Sequence, residues 1–171
     1  SVSSSTFFTA LGDVGYGNGV SKCSIDDVSI SNVETCFYLS NARNFNVGNL
    51  RADCGTGIVY VNKSAECTFS NSIFVCGDFA GRTPLYGIHC YDDGDGYPEG
   101  LSINDTLFFR FQNNFKISDL FIGIFTGCYF DGLNKSQMII DDTVTGRVEG
   151  LSFSSCWFYK KGVLIGNTSN T

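Results

Sequence analysis

The chain is poor in the residues on which most site chemistry depends. Among 171 residues there are one histidine, one tryptophan, one methionine and two prolines. A lone His89, with no Cys-x-x-Cys pair, argues against a zinc site. Basic residues are also scarce: 11 Lys plus Arg against 17 Asp plus Glu give a formal charge of −6. That balance disfavours a nucleic-acid backbone or an anionic membrane surface as partner. No apolar run approaches the roughly 18 residues of a bilayer span, and no signal peptide is visible. A Ser-His-Asp arrangement, a phosphate loop and a dinucleotide fingerprint are all missing. So is convincing helical periodicity, since Asn113 to Phe125 alternates at least as well as it repeats at 3.6. The first residues, SVSSST, do not begin with Met and read as the interior of a longer protein.

What the chain has in quantity is 16 Phe, 8 Tyr, 20 Gly and 14 Asn. Aromatic residues with abundant Gly and Asn favour strands joined by tight turns. Most of the eight cysteines (Cys36, Cys67, Cys76, Cys90, Cys128, Cys156) fall inside apolar, strand-like stretches. A free cysteine packs as a small hydrophobe, and a chain of this size needs no staples. Buried thiols are therefore expected over a disulfide framework. The four Asn-x-Ser/Thr sequons (Asn62, Asn104, Asn134, Asn167) are close to what chance gives in so polar a chain.

Residues 99–105 read EGLSIND and residues 149–155 read EGLSFSS. The shared phrase is apolar, any, apolar, small or polar, then Asn or a substitute. It recurs from Val28, Phe45, Cys67, Leu101 and Leu151, and more weakly from Phe115 and Cys128. A second phrase is a Gly, an alternating strand and often Asn or Asp: GIVYVN (57–62), GIHCYD (87–92), GVLIGN (162–167) and, without the Gly, CFYLSN (36–41). Strands with one inward and one outward face, in units near 22 residues and with no helix between them, predict a stack of parallel rungs. The expected fold is all-β, a parallel β-helix of about six to seven coils over residues 23–171, after a lead-in over 1–22. The alternative is an antiparallel β-sandwich. In the helix, Val28, Phe45, Cys67, Leu101 and Leu151 share one inward ladder. The Cys128 copy then marks the rung between Leu101 and Leu151, and Phe115 lies on another face. Glu99 and Glu149 share an outward corner, with Glu66 as a third candidate.

Two segments exceed their counterparts: the third coil (76–86 and 91–100) and residues 131–150. The stretch DDGDGYPEG places Asp92, Asp93, Asp95 and Glu99 with two glycines and Tyr97 in nine residues. Three readings stay open for it. Carboxylate-rich loops bind Ca²⁺, although EF-hand spacing fails here. Paired carboxylates cleave glycosidic bonds. Otherwise it is a solvated acidic turn. Rungs about 4.8 Å apart put Glu66 near 5 Å from Glu99 and Glu99 near 10 Å from Glu149, compatible with retaining and inverting spacing respectively. Catalytic candidates are thus Glu99, Asp93, Asp95 and Glu149. Tyr91, Asp92, Tyr97, His89 and Trp157, with Tyr86, are candidates for substrate binding.

With its irregular coils, Asn-rich bends, Phe and Cys ladders and phrases such as VEGLSFSSCWFY, the sequence resembles the right-handed β-helix of bacteriophage tailspikes, within the pectate-lyase-like group. The resemblance covers roughly residues 23–167 and lies in texture rather than in an invariant motif. It implies a homotrimer on a virion tail that binds bacterial surface polysaccharide, O-antigen or capsule. It also implies cleavage of that glycan by an endo-glycosidase, or a non-catalytic stalk or adhesin-like module in its place. The Asp clusters and Arg/Lys base of pectate lyases have no counterpart, so a lyase fits less well. No cofactor and no membrane insertion are implied.

Overall fold

A computed structural model describes residues 5–11, 21–77, 85–94, 96–133, 136–140, 148–159 and 162–165. No helix occurs among these residues, and every strand ladder is parallel. The antiparallel sandwich is thereby set aside.

Three sets of strands alternate along the chain. The first holds Ser24–Asp26, Asn46–Gly48, Ala65–Ser70, Glu99–Asn104, Leu120–Thr126 and Val148–Ser154, hydrogen-bonded in chain order. The second holds the N-terminal parts of Ser29–Ser40 and Arg51–Val61, then Ile73–Val75, Leu107–Phe111, Tyr129–Gly132 and Trp157–Tyr159. The third takes the C-terminal parts of the same two long strands, then Tyr86–Tyr91, Asn113–Ile117, Ser136–Ile140 and Gly162–Ile165. Thr6–Leu11, in the expected lead-in, pairs with Ser29–Ser40 on this third set. The chain visits first, second and third set in turn. Successive partners in the first set are Ser24, Asn46, Thr68, Ser102, Ile124 and Ser152, so most circuits take 22 residues, the third 34 and the fifth 28.

Backbone conformation explains the repeated phrase. On each first-set rung the residue before the first position of the inward ladder is left-handed: Lys22, Asn44, Glu66, Gly100, Ile122 and Gly150 have φ between 51° and 69°. A second left-handed column ends the strand: Asp27, Asn49, Asn71, Asp105, Gly127 and Ser155, φ 46° to 65°. Gly, Asn and Asp tolerate this region best, which is why the chain writes Glu-Gly-Leu-Ser twice and closes so many strands on Asn or Asp. Between the two bends the strand alternates, with Phe45 and Val47, Cys67 and Phe69, and Leu101 and Ile103 inside.

Three sequence expectations are corrected by this register. Val28 is not in the Leu101 ladder; Cys23 is, because Ser24 pairs with Asn46, and Val28 lies at the next corner, where its carbonyl accepts from Arg51 N–H. The rung between Leu101 and Leu151 is Gly123, not Cys128. Glu66 aligns with Gly100 rather than Glu99, since Ala65 and Cys67 pair with Glu99 and Leu101. The copy starting at Phe115 does lie on another face of the same circuit.

Inside, side chains from successive circuits stack. Phe74, Phe108, Phe130 and Phe158 form a second-set column with centroids 5.1, 5.5 and 5.0 Å apart and interplanar angles of 6°, 16° and 25°. Phe125 and Phe153 stack at 4.7 Å in the first set. Such pairs add about 0.5–1.5 kcal/mol each beyond the area they bury. All eight cysteines are free thiols, six of them buried, with Cys23 and Cys156 half-buried. Buried serines close the corners: Ser64 Oγ donates to Leu39 O (3.1 Å) and accepts from Ala42 N–H (3.2 Å). Among the described residues no buried side-chain polar atom lacks a partner.

Candidate functional site

The acidic stretch begins where the third-set strand Tyr86–Tyr91 ends, and its first carboxylate is occupied in shaping it. Asp92 Oδ1 accepts from Gly94 N–H (2.7 Å) and Gly96 N–H (3.0 Å). The Asp92 N–H in turn donates to Asp119 Oδ2 (3.3 Å), and Asp93 N–H to Asn62 Oδ1 (3.3 Å). This is an Asx-type turn strapped to the neighbouring circuits. Asp92 is therefore a structural acceptor, whereas Asp93 is exposed to solvent. Asp95 lies outside the described residues, as do 78–84, 134–135 and 141–147 of the two long segments.

Glu99 re-enters the first set with its N–H on Ser64 O (2.8 Å) and its carbonyl accepting from the buried Tyr60 hydroxyl (2.7 Å). It stands in a column of Ser21, Arg43, Ala65, Glu99, Phe121 and Glu149. Glu99 and Glu149 are thus two rungs apart, about 9.6 Å along the stack, with Phe121 between them. Tyr97 is 41% exposed, its ring edge-on to Phe121 at 6.4 Å. The segment 96–99 therefore brings an aromatic ring and a carboxylate to one corner. Glu66, off this column by one residue, is exposed on the same side.

His89 faces outward on the third set, in register with Val59 and Lys116. Its ring lies 5.0 Å from Tyr86 and 4.6 Å from Tyr91, and Lys116 Nζ sits 5.5 Å over the Tyr86 ring. Burial between these rings, and secondarily the Lys116 charge, lowers the imidazole to about 4, so it is neutral at pH 7. Burial and then a hydrogen bond with Tyr38 push the Tyr91 phenol up to about 12. Trp157, 63% exposed, is remote from both groups: it ends the second-set column after Tyr129.

The predicted residues thus separate into a His89–Tyr91–Tyr86 row, the acidic turn with Tyr97 and Glu99, and a distant Trp157. Two cations that sequence reasoning passed over join the second group. Arg43, Lys63, Gly96, Tyr97 and Glu99 line a cleft of about 130 Å³. Arg43 was recoverable from the repeat, because Arg43-Asn44-Phe45 is the same rung as Glu99-Gly100-Leu101. Lys63 carried no such signal. A larger cavity, about 360 Å³, opens on the second set among Ser29, Ser31, Arg51, Asp53, Val75 and Gly77 and contains none of the predicted residues. Its Asp53 carboxylate is engaged by Gly77 N–H at 2.9 Å. No group of three or more His, Cys, Asp or Glu suited to a metal ion occurs among the described residues. Comparisons of the chain with protein-family models, with curated proteins and with solved structures find no match.

Proposed function

We propose that the chain is a single-stranded, right-handed parallel β-helix of about six to seven coils, similar to phage tailspikes, that binds bacterial surface polysaccharide on its outer face. The observation that carries binding is the row of Tyr86, His89 and Tyr91 rings, side by side on the outside of a hydrogen-bonded sheet and running into the acidic turn. The C–H face of a pyranose packs on flat rings, hydroxyls are held by carboxylates and amides, and a sheet fixes both without further ordering cost. In this reading the protein works on a virion tail as a homotrimer, on O-antigen or capsule, with no nucleic acid, membrane insertion or cofactor involved.

Hydrolysis is the second reading. It is favoured by the two-rung separation of Glu99 and Glu149, about 9.6 Å along the stack, which lies just beyond the ~6.5–9.5 Å spacing of inverting glycosidases and leaves the side chains to close the difference. The use of Asp92 inside its own turn takes one of the substrate-binding candidates out of play and bears on neither catalytic carboxylate.

The test is incubation with purified O-antigen and capsular polysaccharides, reading binding, new reducing ends and absorbance from unsaturated uronates. Binding that Tyr91→Ala weakens, without product, is the expected result. Reducing ends that disappear in a folded Glu99→Gln or Asp93→Asn variant would make the protein a hydrolase. Unsaturated product would make it a lyase. Absence of binding to every glycan would remove the polysaccharide reading.

A further inference from the structure

Six residues stand in one column where the first set turns into the second: Val28, Leu50, Ser72, Thr106, Cys128 and Cys156. Each carbonyl accepts from the residue that opens the second-set strand of the next circuit. Val28 O accepts from Arg51, Leu50 O from Ile73, Ser72 O from Leu107, Thr106 O from Tyr129 and Cys128 O from Trp157. From Ser72 onward the side chains repeat one arrangement. Ser72 Oγ donates to Ser70 O and Thr106 Oγ1 to Asn104 O, both at 2.8 Å. The Cys128 and Cys156 thiols take the same place on Thr126 O (3.4 Å) and Ser154 O (3.5 Å). Two circuits thus turn on hydroxyls and the next two on thiols.

Neighbouring circuits lie about 4.8 Å apart, inside the roughly 4.4–6.8 Å between Cα atoms that a disulfide spans. Tyr129 and Trp157, which follow the two cysteines, are paired partners, so Cys128 and Cys156 share their column without a register shift. Cys156 Sγ already leans back toward the circuit of Cys128, reaching Phe125 O at 3.4 Å. Cys128 Sγ leans one circuit further, to Ile103 O at 3.3 Å. One rotamer change, at Cys128, turns its sulfur toward Cys156. The S–H donors given up are weak ones, and Thr126 O keeps the Asp105 N–H at 2.8 Å. Burial pushes the Cys128 thiol up to about 11; backbone hydrogen bonds lower it, and the adjacent Cys156 thiol raises it again, so the two groups interact.

Access singles out this pair. Cys54 and Cys76 also stand on adjacent circuits, following the paired Asp53 and Val75, but both are buried and out of an oxidant's reach. Cys156 is half-buried. Its circuit is covered on one side only among the described residues, since Val148–Ser154, Trp157–Tyr159 and Gly162–Ile165 each have a single partner strand. We infer that Cys128 and Cys156 close a disulfide between circuits when the folded chain meets a low-molecular-weight disulfide, stapling the exposed circuit to the one beneath it. The Cys156 thiolate attacks one sulfur of the oxidant and expels a small thiolate, which leaves a mixed disulfide on Cys156. Cys128 then gives its proton to water, attacks Cys156 Sγ and expels the second small thiolate. Two protein thiols and one small disulfide become one protein disulfide and two small thiols. The accessible thiol is thus the attacking one, and the buried thiol resolves.

The test incubates the folded, reduced chain with oxidised glutathione and counts thiols after denaturation. The count should fall by two, from eight to six, with an intact mass lower by two hydrogens. Peptide mapping should join the segments that carry Cys128 and Cys156. Trp157 is the one tryptophan and adjoins Cys156, so its emission should be quenched as the bond forms and recover with dithiothreitol. Amide exchange over residues 148–159 should slow by about tenfold or more, because the end circuit can no longer open alone. Serine variants follow the precedent of Ser72 and Thr106 in the same column, so they should fold. Cys128→Ser should stop at a glutathione adduct on Cys156, and Cys156→Ser should keep its remaining thiols free. An unchanged thiol count, a bond mapped to any other pair, or an adduct that persists on Cys156 of the native chain would each overturn the inference. The native chain decides through its thiol count and peptide map even if a variant misfolds.

Discussion

Ile122 stands in a left-handed conformation, φ 63°, that β-branched side chains avoid, while Gly100 and Gly150 hold the equivalent positions on either side. It is also 40% exposed, so little burial offsets the conformation. The left-handed region costs an L-residue roughly 1–2 kcal/mol, and glycine returns part of that through its freer unfolded chain. Ile122→Gly should therefore stabilise the protein by about 0.5–1 kcal/mol, read as a higher urea midpoint at unchanged slope. The same residue hid its rung from sequence inspection. Elsewhere in the column the phrase ends on an apolar inward residue, as Ser-Lys-Cys, Arg-Asn-Phe, Ala-Glu-Cys or Glu-Gly-Leu, but here it reads Phe-Ile-Gly, with the glycine displaced to the inward position. His89 makes the other prediction at this scale. Its folded value near 4 lies below the ordinary 6.5, so between those limits the unfolded chain takes up the proton first. Stability contributed by the neutral ring is complete above pH 6.5 and is lost as pH falls toward 4, by at most about 3 kcal/mol. The facing groups are Tyr86, Tyr91 and Lys116. Urea midpoints between pH 7 and 4 should fall more steeply for the native chain than for His89→Gln; identical slopes would show that the imidazole is solvated. That His89 faces outward could not be read from GIHCYD, because Ile88 and Cys90 fix its parity but not which side of the strand is inside.

At the scale of the element, the four copies of the second phrase were legible: CFYLS, GIVYV, GIHCY and GVLI do stack on one set of strands, together with Asn113–Ile117, which resembles the first phrase, and Ser136–Ile140, which matches neither. The reason for its glycine was not. Gly57 and Gly87 have no left-handed φ; they are required by close approach of neighbouring circuits. A Cβ on Gly57 would come within 2.5 Å of Gly87 O, and one on Gly87 within 2.8 Å of Asn114 O. Those obstacles are backbone and cannot rotate away. Gly57→Ala should cost about 1–3 kcal/mol as an overpacked position, whereas Gly94→Ala, with nothing within 4 Å, should cost less and only through its φ of +115°. Thermal melts of the two variants side by side would check this ordering, and a smaller loss at Gly57 would mean that the third set can spread. The alternation inside each strand was readable because its period is two. The placing of Val28 and Cys128 was not, because corner residues of the second set repeat the same apolar-polar-apolar texture as the first.

For the whole molecule, most of the energetic coupling runs between neighbouring circuits, and this is where the sequence was both most and least informative. The steps of 22 residues and the excess in the third and fifth circuits follow from the spacing of the phrases, since each circuit must return to the same column. The Arg43–Lys63–Tyr97–Glu99 cleft was not foreseen, because it joins residues from three circuits and exists only once the register is set. Nearest-neighbour stacking makes a strong prediction about phase. Removing residues 102–123 deletes one 22-residue circuit and joins Leu101 to Ile124, the partner of Ser102, so inward and outward positions stay in step. Phe74 then meets Phe130 in the second-set column, and Tyr86–Tyr91 meets Ser136–Ile140 in the third. Removing only 102–112 joins Leu101 to Asn113 and sends a third-set strand into the first set. The first deletion should give a folded protein with a cooperative transition, a lower melting temperature and a denaturant slope reduced by roughly an eighth, in proportion to surface lost. The second should fail to fold or should aggregate, since its inward columns are interrupted. If neither deletion folds, stability is not a sum over neighbouring circuits, and the ends of the stack must be coupled through contacts that cross more than one rung.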